Sequence, residues 1–459
     1  MSTTSAAQSL VALLRNTNAA TLRNVLLQWS LHDVADALVQ LPVADQASVL
    51  RVLPTRAAAA VFEYLSTPAQ RSLIPAMSQD DLAALLNDMA PDDRTLFLSE
   101  LPTYATHELL TLLGPEERSQ AERLLAYPAD SVGRLMTPDY VAIRAEWTIQ
   151  EVLDHVRAHG HDSETLNVLY VIDDRGVLID DLRVREVLLA PVQAHVADLM
   201  NRRFAALRAT DDQRVAIETF RREDRTALPV IDDNGILIGI VTVDDVLDAA
   251  QEMATRDLQR FGGSAALGEP YMAVPTVRMI RKRAGWLVVL FLGEMLTATA
   301  MGFFEQEIAR AVVLALFVPL IISSGGNAGS QASTLVIRAL ALGEIALRDW
   351  WRVIRRELAA GLALGGLLGA VGFARIAAWS AFTNLYGPHW LLIGITVGVA
   401  LVGVVLWGAL VGSMLPFGLR RLGFDPATSS APFVATLVDV TGLIIYFTVS
   451  LAVLRGTLL

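Results

Sequence analysis

Five apolar stretches, about Trp286–Phe304, Ala311–Ile337, Leu358–Phe382, Trp390–Leu415 and Ala431–Leu454, constrain this chain more than any other feature. Each is long enough to cross the roughly 30 Å hydrocarbon layer of a bilayer as a helix. Backbone polar groups in lipid must be satisfied within the segment or by neighbouring protein, which disfavours open strands and loops there. The back of the chain is therefore expected to be a bundle of five transmembrane helices. Arg278, Arg281, Lys282 and Arg283 precede the first stretch, and Arg348, Arg352, Arg355 and Arg356 separate the second from the third. Arg420 and Arg421 lie between the fourth and fifth, whereas the loops 305–310 and 383–389 are poorly basic. The positive-inside rule then predicts a cytoplasmic N-terminus and an extracytoplasmic C-terminus.

Charge divides the chain the same way. Residues 270–459 carry 14 Lys/Arg and 8 Asp/Glu, a net of +6, which leaves 23 and 40, a net of −17, for residues 1–269 and the total of −11. An acidic front half argues against nucleic acid as a partner and suits cations. With no cysteine, disulfides and thiolate metal sites are excluded. Met1–Ala20 lacks a basic stretch followed by an apolar core, so no signal peptide is expected.

From about residue 8 to 127 short amphipathic runs alternate with breaks at Pro42, Pro54, Pro68, Pro75, Pro91 and Pro102. Thr67-Pro68-Ala69-Gln70 reads as a capping box, and Ser78 with Asp81 reads as a second helix start. Short helices repeated in this way suggest a small superhelical stack. The acidic residues of its later turns, Asp92 and Asp93 among them, fit a solvated helical face equally well.

Beyond Tyr127-Pro128 the chain repeats itself. Val171-Ile172-Asp173-Asp174-Arg175-Gly176-Val177-Leu178 returns as Val230-Ile231-Asp232-Asp233-Asn234-Gly235-Ile236-Leu237, and Leu135-Met136 returns as Leu199-Met200. Each copy is expected to run strand, helix, glycine-turned hairpin, helix. Residues 135–252 thus resemble a tandem pair of CBS domains. The resemblance implies a regulatory module for adenosine nucleotides or cations, with Thr242 and Asp245 open to gripping ribose hydroxyls and Tyr170 to stacking on adenine. The first copy has Leu178-Ile179-Asp180-Asp181-Leu182-Arg183 instead, without the glycine or the hydroxyl, so at most one nucleotide is expected, and a purely structural module is an equal alternative. Asp244 to Phe261 reads as a long connecting helix, and Glu269-Pro270 as the start of a linker.

Two membrane segments carry polar groups. Pro319 and the run Ser323-Ser324-Gly325-Gly326-Asn327-Ala328-Gly329-Ser330-Gln331 interrupt the second, and Thr436, Asp439, Thr441 and Gly442 the fifth. Such groups at membrane depth are read either as a kinked helix packed by small residues or as the lining of a hydrated ion path. Asp439 has no Lys or Arg nearby in its span, and Glu294 stands alone in the first. A buried anion is costly unless a cation visits it. The spans hold no His or Cys cluster, which argues against zinc or copper and for a hard cation such as Mg2+.

Pro319 with Gly326-Asn327-Ala328-Gly329-Ser330-Gln331, the fifth-span residues Thr436, Asp439 and Gly442, and Asp425-Pro426-Ala427 before them resemble the MgtE family of magnesium channels, as does the order of parts. The resemblance implies a multidomain fold: an α-helical superhelical N-terminal domain (1–130), an α/β tandem CBS pair (131–252), a connecting, plug-type helix and linker (253–283), and an α-helical membrane domain with five transmembrane helices (284–459). It implies a homodimer in the cell (inner) membrane, not an enzyme, passing Mg2+ along its two-fold axis. Asp439, the Ala435 carbonyl and Asn327 would meet the ion, with Gly326, Gly329, Gln331, Thr436 and Glu294 lining the path. It further implies gating by cytosolic Mg2+ at Asp92, Asp93, Asp212, Asp224, Asp245, Asp248 and Asp257, with ATP as a possible regulator. Gln251, Met253 and Arg256 dilute the acidic connecting helix, which puts gating in more doubt than conduction. Two alternatives stand beside this reading: a transporter of Co2+, Ni2+ or Ca2+, and a membrane-anchored sensor that does not conduct.

Overall fold

A computed structural model of the chain describes residues 10–458 apart from 12, 15–17, 268–270, 273 and 384, and apart from the side chain of Ala427. The Glu269-Pro270 linker start and most of Met1–Ala20 therefore lie outside the described residues. Two compact units form, residues 1–252 and 253–459.

The first unit opens with short helices, α1 (Ala19–Leu26), α2 (Leu31–Leu38), α3 (Val43–Val52), α4 (Thr55–Glu63), α5 (Thr67–Leu73), α6 (Gln79–Asp88), α7 (Pro91–Ser99), α8 (Thr103–Leu110) and α9 (Pro115–Leu125). Proline punctuates them. Pro42, Pro54 and Pro102 are N-caps, while Pro68, Pro91 and Pro115 sit in first turns where the missing N–H costs nothing. Ser78 Oγ accepts from the Asp81 N–H at 3.2 Å, as the sequence suggests. The capping box at Thr67–Gln70 does not form. Gln70 is buried instead, its amide donating to the Phe62 carbonyl at 2.8 Å, because the helix turns this face onto the core.

The repeat follows, with β1 (Ala142–Ile143), α10 (Ile149–His159), β2 (Val168–Ile172), β3 (Leu178–Arg183), α11 (Val184–Leu189), α12 (Val196–Leu199), β4 (Leu207–Arg208), α13 (Gln213–Glu223), β5 (Ala227–Ile231), β6 (Leu237–Thr242) and α14 (Val243–Phe261). Each copy makes a three-stranded sheet, orders β1-β2-β3 and β4-β5-β6, parallel at the first pair and antiparallel at the second. Gly176 and Gly235 turn the hairpins at φ +82° and +81°. The two hairpins then bond to each other, Leu178 N–H to the Gly235 carbonyl and Leu237 N–H to the Gly176 carbonyl, each at 3.0 Å. This reciprocity makes the repeat one body.

In the second unit, Gly263 at φ +74° follows α14. The helices α15 (Thr276–Phe303), α16 (Glu305–Arg310), α17 (Val312–Ala315), α18 (Val318–Ala341), α19 (Trp350–Phe382), α20 (Trp390–Arg421) and α21 (Ala431–Leu454) complete the chain. Among the described residues, five helical segments are long and apolar enough to cross a membrane. The expected interruption of the second span lies elsewhere than the glycines. The chain breaks between α17 and α18, ahead of Pro319, and the glycine-rich stretch is continuous helix. At the break the Leu314 carbonyl accepts from the Tyr446 hydroxyl at 2.9 Å, so protein satisfies it.

Candidate ion path and acidic cluster

Glycines set the membrane site. A β-carbon added at Gly412 would stand 2.0 Å from the Gly329 carbonyl oxygen, and one at Gly408 2.4 Å from that of Gly325. Helices α18 and α20 therefore meet backbone to backbone. Helix α21 packs on the same stretch, where a β-carbon at Gly326 would lie 3.3 Å from Asp439 Oδ1 and 3.4 Å from the Ala435 Cβ. Asp439, Ala435 and Gly326 are thus neighbours, and Gly329 lies deeper in the packing against Val434 and Gly408. Asn327 is exposed within the single chain and donates to Ser323 Oγ at 3.4 Å, and Gln331 is likewise exposed. Thr436 hydrogen-bonds its own helix at Pro432 O, 3.1 Å away, and its methyl group fills the notch left by Gly293 of α15. Glu294, the next residue of α15, brings its carboxyl beside that of Asp439. Ahead of α21, Asp425 pairs with Arg260 at 2.6 Å.

The acidic residues of the front half divide into two groups. Asp92, Asp93 and Asp245 lie close enough to repel, joined by Glu63, Glu164, Asp244 and Asp248. Burial, then the charge of Asp245, pushes the Asp92 carboxyl well above the usual range. Burial, then Glu63 and Asp245, raises Asp93 to about 7, and burial raises Asp245 to about 6. Sequence reasoning missed Glu63 and Glu164, which sit far from the connecting helix in the chain and carry no local motif. Even so, among the described residues no three His, Asp or Glu side chains stand in ligating geometry. The remaining three have other settings. Asp212 caps α13, accepting from the Arg214 N–H at 2.8 Å, Asp224 ends that helix at φ 48°, and Asp257 belongs to the second unit.

The expected nucleotide contacts are also uneven. Thr242 donates its hydroxyl to Asp245 Oδ2, which pairs the two ribose candidates with each other. Tyr170 is 0 % exposed, its ring edge-on to Tyr140 and packed with Leu237 and Ile240 of the second copy. An open stacking face is therefore absent here, because the copies bury β2 between them. The first copy's Asp180 is structural, accepting from the N–H groups of Asn201 and Arg202 at 2.8 Å each. Asp181 pairs with Arg225 across the repeat at 3.1 Å.

Family models match three regions: a divalent cation transporter domain at residues 318–449, an MgtE intracellular N domain at 29–130, and CBS domains at 132–192 and 196–252. The magnesium transporter MgtE of Thermus thermophilus is 41% identical over 357 residues, 78% of this chain and 77% of that protein. The chain belongs to the MgtE family. The MgtE of Enterococcus faecalis is 30% identical over 340 residues, 74% of this chain and 73% of its own length. Among solved structures, the cytosolic domain of the Mg2+ channel MgtE in complex with ATP matches with a TM-score of 0.50 at 35% identity, covering 53% of this chain and 99% of that one. The soluble part of a magnesium transporter matches with a TM-score of 0.53 at 25% identity, covering 55% and 99%.

Proposed function

We propose that this MgtE-family chain conducts Mg2+ across the cell (inner) membrane as a homodimer, with its acidic front half as a cytosolic sensor. One observation carries the reading: Asp439 is held against Gly326 and Ala435 inside the region that matches the divalent cation transporter domain. Mg2+ keeps most of its water and needs only one or two carboxylates, so a two-fold axis bringing two copies of Asp439 together supplies a sufficient site. The Ala435 carbonyl and Asn327 line the approach, with Gly326, Gly329, Gln331 and Thr436 beside them. The chain carries cargo and transforms none. Its C-terminus faces outward, following the basic loops and the odd number of spans.

Gating rests on the cytosolic cluster. Repulsion among Asp92, Asp93, Asp245 and Asp248 falls when Mg2+ arrives, which favours the closed arrangement at high cytosolic Mg2+. Asp212, Asp224 and Asp257 are the further acidic positions for cytosolic Mg2+. ATP, which the solved relative holds, would use Thr242 and Asp245 for its ribose here, and the Tyr170 ring would have to leave its packing to meet the base. Mg2+ uptake into proteoliposomes carrying the intact chain, with Asp439→Ala beside it, tests the path. Uptake that falls to background in the variant supports it. Uptake that survives places the path elsewhere, and an intact dimer that moves no Mg2+ at low sensor-side Mg2+ makes the chain a sensor.

A further inference from the structure

Between Arg283 and Glu305, Glu294 is the one charged residue of α15, and Asp439 is the one charged residue of α21. Arg283 lies eleven positions from Glu294, a rise of about 16 Å along a helix. Local basic side chains on these helices therefore neutralise neither carboxyl. Gly293 is why the two helices meet at this level. A β-carbon there would stand 2.7 Å from Thr436 Cγ2, so only glycine lets α15 come this close one turn before Asp439. The next residue, Glu294, consequently stands beside Asp439, close enough for the two carboxyls to interact. Helix α15 buries none of its residues within the single chain, and Glu294 is exposed there. A carboxylate at that depth is costly against lipid, which leaves a watery path or a second protomer as its surroundings.

We infer that Glu294 is a selectivity-determining residue of the ion path, the second carboxylate of a pair with Asp439 that favours divalent over monovalent cations. The inference rests on the reading that Asp439 lines that path. Two like charges held near each other repel strongly in a medium drier than water. A cation beside the pair relieves this repulsion, and a doubly charged ion gains twice what a singly charged one gains from each carboxylate. Removing the Glu294 charge thus penalises Mg2+ more than Na+. A residue that merely braced α15 against α21 would shift both fluxes together.

The test measures Mg2+ and Na+ uptake in proteoliposomes bearing the full chain as wild type, Glu294→Gln, Glu294→Asp and Asp439→Ala. Glutamine keeps the shape and hydrogen bonding of the side chain without its charge. The Mg2+-to-Na+ uptake ratio is expected to fall about tenfold or more in Glu294→Gln and to stay within about threefold of wild type in Glu294→Asp. An unchanged ratio in Glu294→Gln, with Asp439→Ala inactive, overturns the role of Glu294 and leaves the path intact. Equal loss in the aspartate and glutamine variants makes side-chain length, not charge, the determinant and also overturns it. If the glutamine variant does not assemble, Glu294→Ser takes its place with the same two outcomes. Wild-type uptake in Asp439→Ala is a different failure, that of the path itself.

Discussion

The two acidic sites of this molecule are built by opposite means. In the membrane unit, glycines let the helices close on one another around Asp439 and Glu294, Gly293 of α15 against the Thr436 side chain and Gly326 of α18 against Ala435 and Asp439. In the cytosolic unit, Asp92, Asp93 and Asp245 come from α7 and from the start of α14, and Glu63 and Glu164 join them from α4 and a loop. There the carboxyls are crowded by burial and held by single hydrogen bonds, Glu63 by the Ala90 N–H at 3.0 Å and Asp92 by the Asp93 N–H at 3.1 Å, rather than by helices closing at glycines. Tight packing suits a site that must hold one shape while ions pass. Crowded like charges suit a site whose shape is meant to depend on whether a cation is present. The contrast is therefore one of stiffness, and it can be tested at both ends.

The largest effect is expected where the packing is tightest. In Gly412→Val the side chain has no room beside the Gly329 carbonyl, and overpacking of this kind costs about 3 kcal/mol or more. The variant should yield little assembled protein by size-exclusion chromatography in detergent. Normal yield with normal Mg2+ uptake would remove the claim that the membrane site is stiff.

Next comes the pH dependence of the cytosolic unit, measured on residues 1–252 without divalent ions. Asp93 and Asp245 are raised in the folded state to about 7 and about 6, so the folded form holds protons more tightly than the unfolded one. Their contribution is fully present below the unfolded carboxylate pKa, near 4, and is lost as pH rises through 6 to 7. The melting temperature should accordingly fall by several degrees between pH 5 and pH 8, and millimolar Mg2+ should restore it at pH 8. No restoration would mean that the cluster is not a cation site. A smaller change is expected for Asp93→Asn, which should flatten that pH dependence by removing one of the raised groups, with little effect at pH 5. Smallest of all, Tyr446→Phe removes the hydroxyl that meets the Leu314 carbonyl. Hydrogen bonds between membrane helices average about 0.6 kcal/mol, so a slight loss of thermal stability with uptake preserved is expected. A large loss would show that the break before α18 depends on this one bond.

Much of the architecture is legible in the chain alone because its signals are local. Apolar length marks the five spans, a repeated turn marks the paired α/β domains, and an unpaired aspartate in a span marks Asp439. Proline and serine positions delimit the short helices, although Gln70 shows how burial overrides a capping pattern. Tertiary structure decided what depends on which surfaces meet. It made the glycine-rich stretch a packing face of a continuous helix, moved the break ahead of Pro319, and buried Tyr170 between the two copies. It turned Asp212 into a cap and drew Glu63 and Glu164 into the acidic cluster. Glu294 and Asp439 stand 145 positions apart in the chain, and no sequence periodicity links them. Only the absence of a β-carbon at Gly293, seen against Thr436, makes them neighbours.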